Sequence, residues 1–80
     1  METKVAVISI ILENQDAVEP MNALLHEYGT YIIGRMGIPY KVRNMNVISI
    51  ALDASLQTIN ELTAKIDALP GVGAKTVVSA

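Results

Sequence analysis

Hydrophobic residues along this chain follow two periods, one typical of strands and one typical of amphipathic helices. Residues 3–12 are dominated by β-branched side chains and end at the polar segment 13–16, which predicts a strand followed by a loop. A helical stripe that stops at Gly29 predicts the first helix: Val18, Met21, Leu24, Leu25 and Tyr28. Asp16 is its expected N-cap, with Glu19 three residues later as in a capping box.

Two further strands are predicted after this helix. Residues 30–40 are apolar and β-rich, but Gly34, Gly37 and Pro39 weaken the pattern, so a bent or bulged strand is expected. After a short hairpin, residues 45–53 predict a third strand.

A second amphipathic helix and a last strand complete the pattern. Ser55 is the expected N-cap, and the stripe of the helix is Leu56, Ile59, Leu62, Ile66 and Leu69. Pro70 and Gly71 end the helix, and residues 72–79 predict a fourth, less bulky strand.

The two halves of the chain resemble each other in sequence. Residues 7–13 read VISIILE and residues 47–53 read VISIALD, and each segment leads into a predicted helix and a further strand. Two βαβ halves in tandem give the ferredoxin-like βαββαβ arrangement, in which right-handed crossovers place both helices on one face of a four-stranded antiparallel sheet. We therefore predict an α+β fold of this kind, as one domain spanning residues 1–80.

One face of the predicted sheet is apolar where a solvated face would be polar. Strand alternation places six bulky residues on the face that suits the helices: Ile8, Ile10, Leu12, Ile48, Ile50 and Leu52. The opposite face carries Val5 and a set of small, mostly apolar residues: Val7, Ser9, Ile11, Val47, Ser49 and Ala51. So continuous a set predicts a subunit interface, although scattered apolar surface residues are common.

Composition agrees with association and excludes several kinds of site. With 51% hydrophobic and 18% charged residues, the chain is more apolar than an average soluble domain. Without cysteine it has no disulfide, thiolate nucleophile or cysteine-ligated metal. The net charge of -2 gives no overall attraction to nucleic acid or to an anionic membrane. Because the chain shows neither a secretory signal pattern nor a run long enough for a membrane helix, we expect a cytoplasmic protein.

Two groups of polar residues near the first helix could carry chemistry. His26 could be a metal ligand or a base, but one histidine without cysteine cannot complete a metal site in one subunit. We therefore expect no bound metal and no cofactor. Glu13, Asp16 and Glu19 could form a cation or amine site, although helix capping explains the last two as well.

A third group makes the predicted hairpin basic. Arg35, Lys41 and Arg43 could meet an anion or an RNA backbone, or they could simply solvate a sheet edge. The glycines lack the spacing of a phosphate-binding loop, and no serine is suggestively placed with histidine and a carboxylate. We therefore expect that the protein is not an enzyme.

Several segments resemble known regulatory domains. The order of elements, with PGV at residues 70–72, resembles the ACT-like domains that bind small effectors between subunits. The segments VAVISIIL, HEYGTYIIGRMGIPY, NVISIAL and LTAKIDALPGV resemble the C-terminal effector domain of the nickel-responsive repressor. With IGRMGIPY at residues 33–40, the chain most resembles the short stand-alone proteins described as regulators of iron-only hydrogenase systems.

The nickel site of that repressor is not carried over. In its pattern His26 falls on a ligand position, whereas Gly37, Pro39 and Met45 stand where two histidines and a cysteine are expected. The DNA-binding ribbon-helix-helix segment is missing as well, so we expect no direct DNA binding. The first strand-to-helix loop also lacks the glycine usual in amino-acid-binding ACT domains.

Together these features predict a stand-alone regulatory module that forms a homodimer or homotetramer. It would bind a small-molecule effector or a regulatory partner protein, and the family resemblance links it to an iron-only hydrogenase system. The candidate effector-binding residues lie in the first loop and on the second strand: Glu13, Asn14, Asp16, Gly34 and Gly37. The alternative is a structural interaction scaffold without an effector.

Overall fold

In a computed structural model, which describes residues 2–80, the chain forms strands and helices in the predicted order. They are β1 (Lys4–Leu12), α1 (Val18–Glu27), β2 (Ile32–Tyr40), β3 (Met45–Ala54), α2 (Leu56–Asp67) and β4 (Val72–Val78). Short 3₁₀ turns flank α1 and join β2 to β3: Gln15–Ala17, Gly29–Tyr31 and Lys41–Arg43. Neither helix in this part of the chain is long and apolar enough to span a membrane.

The strands form one antiparallel sheet in the order β2-β3-β1-β4. The central strands β1 and β3 pair along their whole length, from Lys4 opposite Ala54 to Leu12 opposite Asn46. The edge strand β4 pairs with β1, and the other edge strand β2 pairs with β3. The predicted ferredoxin-like fold is therefore confirmed.

The core lies between the two helices and one face of the sheet. All six residues predicted for that face are buried, as are Met21 and Leu25 of α1 and three residues of α2: Ile59, Leu62 and Ile66. Each such side chain contributes about 1.5–3 kcal/mol when it leaves water. Leu56 is a correction to the predicted stripe of α2, because this first residue of the helix is 47% exposed.

The edge strand β2 lies outside the cover of the helices. Apart from Ile32, which is half-buried, all of its residues are exposed. A β-bulge between Ile32 and Gly34 confirms the predicted irregularity of this strand. Since no helix covers it, β2 is accessible from both faces of the sheet.

The two helices begin in different ways. The Ser55 side chain caps α2, as predicted, by accepting a 3.2 Å hydrogen bond from a backbone amide of the first turn. No side chain caps α1, which follows Ala17. The prediction that Asp16 caps α1 is wrong, because a 3₁₀ turn intervenes and the helix begins only at Val18. Asn14 caps that turn instead, accepting a 3.0 Å hydrogen bond from the Asp16 amide.

On the outer surface of the helices, Lys65 connects α2 with α1. Its Nζ lies 5.1 Å from the centre of the Tyr28 ring and 3.7 Å and 3.9 Å from carboxylate oxygens of Glu27 and Glu61. Tyr28 first, and then the two carboxylates, raise the pKa of Lys65. Because the side chains of Lys65, Glu27 and Glu61 are 42%, 62% and 52% exposed, solvent screens the ion pairs and they add little to stability.

Candidate functional site

The sheet face opposite the helices is apolar and uncovered. Ser9 lies opposite Ser49 and Ile11 opposite Val47, so the residues predicted for this face do share it. Eight of its larger apolar side chains are between 36% and 73% exposed: Val5, Val7, Ile11, Met36, Ile38, Tyr40, Val47 and Val77. These eight residues, together with Ser9, Ser49 and Ala51, are called the open face below.

The edge strands extend the open face beyond the residues predicted from the sequence. Met36 lies opposite Ser49, and Ile38 lies opposite Val47, so two exposed side chains of β2 continue the rows begun on β1 and β3. Val77 of β4 extends the face on the other side. These residues are not among those predicted for the face, because the internal repeat covers only β1 and β3. The alternation of Met36 and Ile38 with Arg35 and Gly37 was the signal that could have revealed them.

Polar groups on this side of the sheet are small at its centre and charged at its margins. The paired residues Ser9 and Ser49 occupy the middle of the two central strands. Asp53 lies opposite Val5 near one end, and Lys75 lies on the edge strand β4. The arrangement therefore suits contact with another apolar surface better than acid–base chemistry.

A cleft lies on the other side of the sheet, between α1 and the overhanging strand β2, and is called the α1–β2 cleft below. It has a volume of about 230 Å³. Its lining residues come from both of these elements and from β1 and β3: Leu12, Val18, Met21, Asn22, Arg35, Gly37, Ile38, Pro39, Asn46 and Ile48. A β-carbon added at Gly37 would meet nothing within 4 Å, so Gly37 borders open space.

Three polar side chains line this otherwise apolar cleft. Arg35 lies opposite Ile50, a core residue, and therefore on the helix side of β2. Asn22 belongs to α1 and Asn46 to β3, so three different elements supply the polar groups. Within residues 2–80, both salt bridges are made by Lys65, and none of the side-chain hydrogen bonds involves these three residues.

Comparison with known proteins identifies the family. The family model described as "TM1266-like: Iron-only hydrogenase system regulator, putative" matches residues 4–76. The chain belongs to the TM1266-like family. The resemblance noted in the sequence is thereby confirmed. The matched residues include all those of the α1–β2 cleft and, apart from Val77, all those of the open face.

A solved structure shows the same fold. The structure titled "The structure of uncharacterized protein TM1266 from Thermotoga maritima" superposes with a TM-score of 0.94 and 30% sequence identity. The match covers 99% of this chain and 100% of that chain. A search of curated proteins gave no match. For this TM1266-like protein, the comparisons therefore establish the fold and a family described as regulatory.

The loop residues predicted to bind an effector make structural contacts in this TM1266-like chain. The Glu13 amide donates a 2.8 Å hydrogen bond to the Gly71 carbonyl, and Asn14 Nδ2 donates one of 3.4 Å to the Pro70 carbonyl. Asn14 also caps the turn that contains Asp16. These contacts fix the end of β1 against the turn before β4, and an effector role for the loop stays a prediction.

The two glycines predicted for the same site lie on opposite faces of β2. Gly37 pairs with Ile48 and lines the α1–β2 cleft, whereas Gly34 pairs with Ala51 and belongs to the side of the open face. An effector role for these two glycines stays a prediction. His26 is exposed on α1, and residues 2–80 contain no group of three or more histidine, cysteine, aspartate or glutamate residues placed to hold a metal ion.

Proposed function

We propose that this protein is a regulatory module, and not an enzyme, that works as a homo-oligomer in which the open face joins two copies of the chain. The exposed apolar character of the open face carries the proposal. Water-exposed apolar area is costly, and monomeric domains seldom leave so continuous a patch uncovered. A chain of 80 residues also buries a smaller share of its surface than a larger domain, which association relieves.

A second copy of the chain suits the open face because the face is self-complementary. In a two-fold contact the same patch is used by both subunits, so each residue meets a partner and is met by it. Asp53 and Lys75 have opposite charges and lie at different margins of this side of the sheet, so a two-fold contact has unlike charges available on both sides. Ser9, Ser49 and Ala51 are small, which favours close approach of two sheets.

The regulatory part of the proposal rests on the family. Its description names a regulator of an iron-only hydrogenase system, and we extend that role to this chain. The apolar character of the open face agrees with binding rather than catalysis. The protein would act in the cytoplasm, where its target system is expected.

Size-exclusion chromatography with light scattering tests the subunit contact. The wild type should run as a dimer or tetramer, and Val47→Asp should run as a monomer, because a charge in a buried apolar contact typically costs several kcal/mol. Val42→Asp is the matched control, since Val42 is 84% exposed in the turn between β2 and β3. It should assemble like the wild type.

A second variant distinguishes loss of the subunit contact from loss of folding. Met36→Lys places a charge on the more exposed edge strand of the open face and should also give a monomer, with a circular dichroism spectrum like that of the wild type. A wild type that is monomeric at high concentration, or open-face variants that stay oligomeric, would show that this face is not the interface.

The alternative function is a structural scaffold that has no effector. A thermal-shift screen with metals, amino acids and nucleotides separates it from an effector-binding regulator. A ligand at 100 times its dissociation constant should add about 2.7 kcal/mol to the free energy of unfolding. No shift with any class of ligand would favour the scaffold.

A further inference from the structure

The α1–β2 cleft combines an unpaired cation with an apolar floor. We propose that it binds a small organic carboxylate, with the anionic group on Arg35 and a short apolar body against the apolar lining of the cleft. This inference rests on the proposed regulatory function and deepens it, because it names the chemical class of the effector.

The charges of the cleft select an anion. Of the ten residues that line it in the described part of the chain, Arg35 is the one that carries a charge. A guanidinium stays protonated and presents two parallel N–H groups that match the two oxygens of a carboxylate. The side-chain amides of Asn22 and Asn46 line the same cleft and offer further N–H donors. The cleft is thus locally positive in a chain whose net charge is -2.

The apolar lining of the cleft favours a ligand with an apolar part over a bare inorganic anion. Above the buried side chains of Leu12 and Met21, the half-buried Val18 and the exposed Pro39 present apolar surface to the cleft. A phosphate or sulfate ion would leave this surface in contact with water, whereas a short alkyl chain would cover it.

The size of the cleft favours a small ligand. A volume of about 230 Å³ corresponds to about eight water-sized groups, given that a water molecule occupies roughly 30 Å³ in the liquid. A carboxylate with a short branched chain has this size, while a nucleotide is much larger. The cleft therefore fits a ligand smaller than the drug-sized compounds for which pockets of about 300–1,000 Å³ are usual.

The strand β2 connects this cleft with the open face. Arg35 lines the cleft, while its neighbour Met36 places its side chain in the open face, because neighbouring residues of a strand point to opposite sides. Ile38 borders both the cleft and the open face. A ligand held by Arg35 therefore acts on the same strand that contributes to the proposed subunit contact. By linkage, any effect of the ligand on assembly is matched by an equal effect of assembly on ligand affinity.

Nuclear magnetic resonance titration of the full chain with isocaproate tests the assignment. Isocaproamide, which has the same shape without the charge, is the comparison ligand. Isocaproate should bind at least about ten times more tightly, and the shifted amide signals should belong to the cleft residues of α1, β2 and β3. Equal affinity for the two compounds, or shifts that map elsewhere, would overturn the proposal.

Two variants locate the binding. Arg35→Met should weaken isocaproate binding about ten-fold or more and leave that of isocaproamide unchanged, whereas Arg43→Met should change neither. Gly37→Val should abolish binding of both compounds by filling the cleft, and it should leave the fold intact because a β-carbon there meets no neighbour. If Arg43→Met matches Arg35→Met, or if Gly37→Val binds like the wild type, the cleft is not the site.

The outcome can be separated from that of the subunit contact. Light scattering reports assembly and the titration reports binding, and each can be measured on the same sample. An oligomer that does not bind isocaproate in the cleft would refute the carboxylate site alone. A monomer that binds it would refute the interface alone.

Discussion

Gly71 lies directly against Asn14. A β-carbon at Gly71 would lie 2.5 Å from Cβ of Asn14, and Gly71 has a φ of 74°, in the left-handed region that side chains disfavour. The Glu13 amide donates to the Gly71 carbonyl at the same place. The end of β1 and the turn before β4 are therefore joined by a contact that only glycine fits.

Replacing Gly71 with alanine should lower the free energy of unfolding by about 2 kcal/mol or more, because backbone strain of about 1–3 kcal/mol is joined by the clash with Asn14. Urea unfolding followed by circular dichroism measures the change. Gly29→Ala is the control, since nothing lies within 4 Å of a β-carbon there, and it should stay within about 0.5 kcal/mol of the wild type. Equal effects of the two substitutions would contradict the role of this contact.

The capping hydroxyl of Ser55 should be worth about 1 kcal/mol to the free energy of unfolding, as N-cap side chains usually are. Its Oγ accepts a hydrogen bond from the Thr58 amide at 3.2 Å and donates one to the Thr58 hydroxyl at 2.9 Å. Ser55→Ala removes both bonds, and urea unfolding shows the loss. Gln57→Ala, an exposed position in the same first turn, should be close to neutral. A neutral Ser55→Ala would mean that α2 does not depend on this cap.

The melting temperature of the wild type should rise with protein concentration, because assembly stabilises the folded subunit by mass action. Differential scanning calorimetry over about a hundred-fold range of concentration measures the trend. Val47→Asp should show no such dependence, and Val42→Asp should behave like the wild type. A melting temperature independent of concentration for all three proteins would contradict assembly through the open face.

Local patterns determined most of the fold. The repeat at residues 7–13 and 47–53, followed each time by a helical stripe, predicted the order of elements, and strand alternation alone separated the core face from the open face. The local pattern gave a wrong prediction at the start of α1, where two residues could each act as a cap. Asp16 has the chemistry of an N-cap, but it lies within a 3₁₀ turn that Asn14 caps. The helix α1 therefore begins only after this turn, at Val18.

The tertiary structure alone decided where β2 lies relative to the helices. The sequence predicted β2 as a bulged strand, but only its pairing with β3 sets its register and only the placement of α1 leaves its helix side uncovered. The α1–β2 cleft depends on both. Asn22, Arg35 and Asn46 share no sequence motif, so their convergence follows from strand pairing and from the packing of α1 on the sheet. The alternation of side chains along each strand, in contrast, is a local property that the sequence by itself determines.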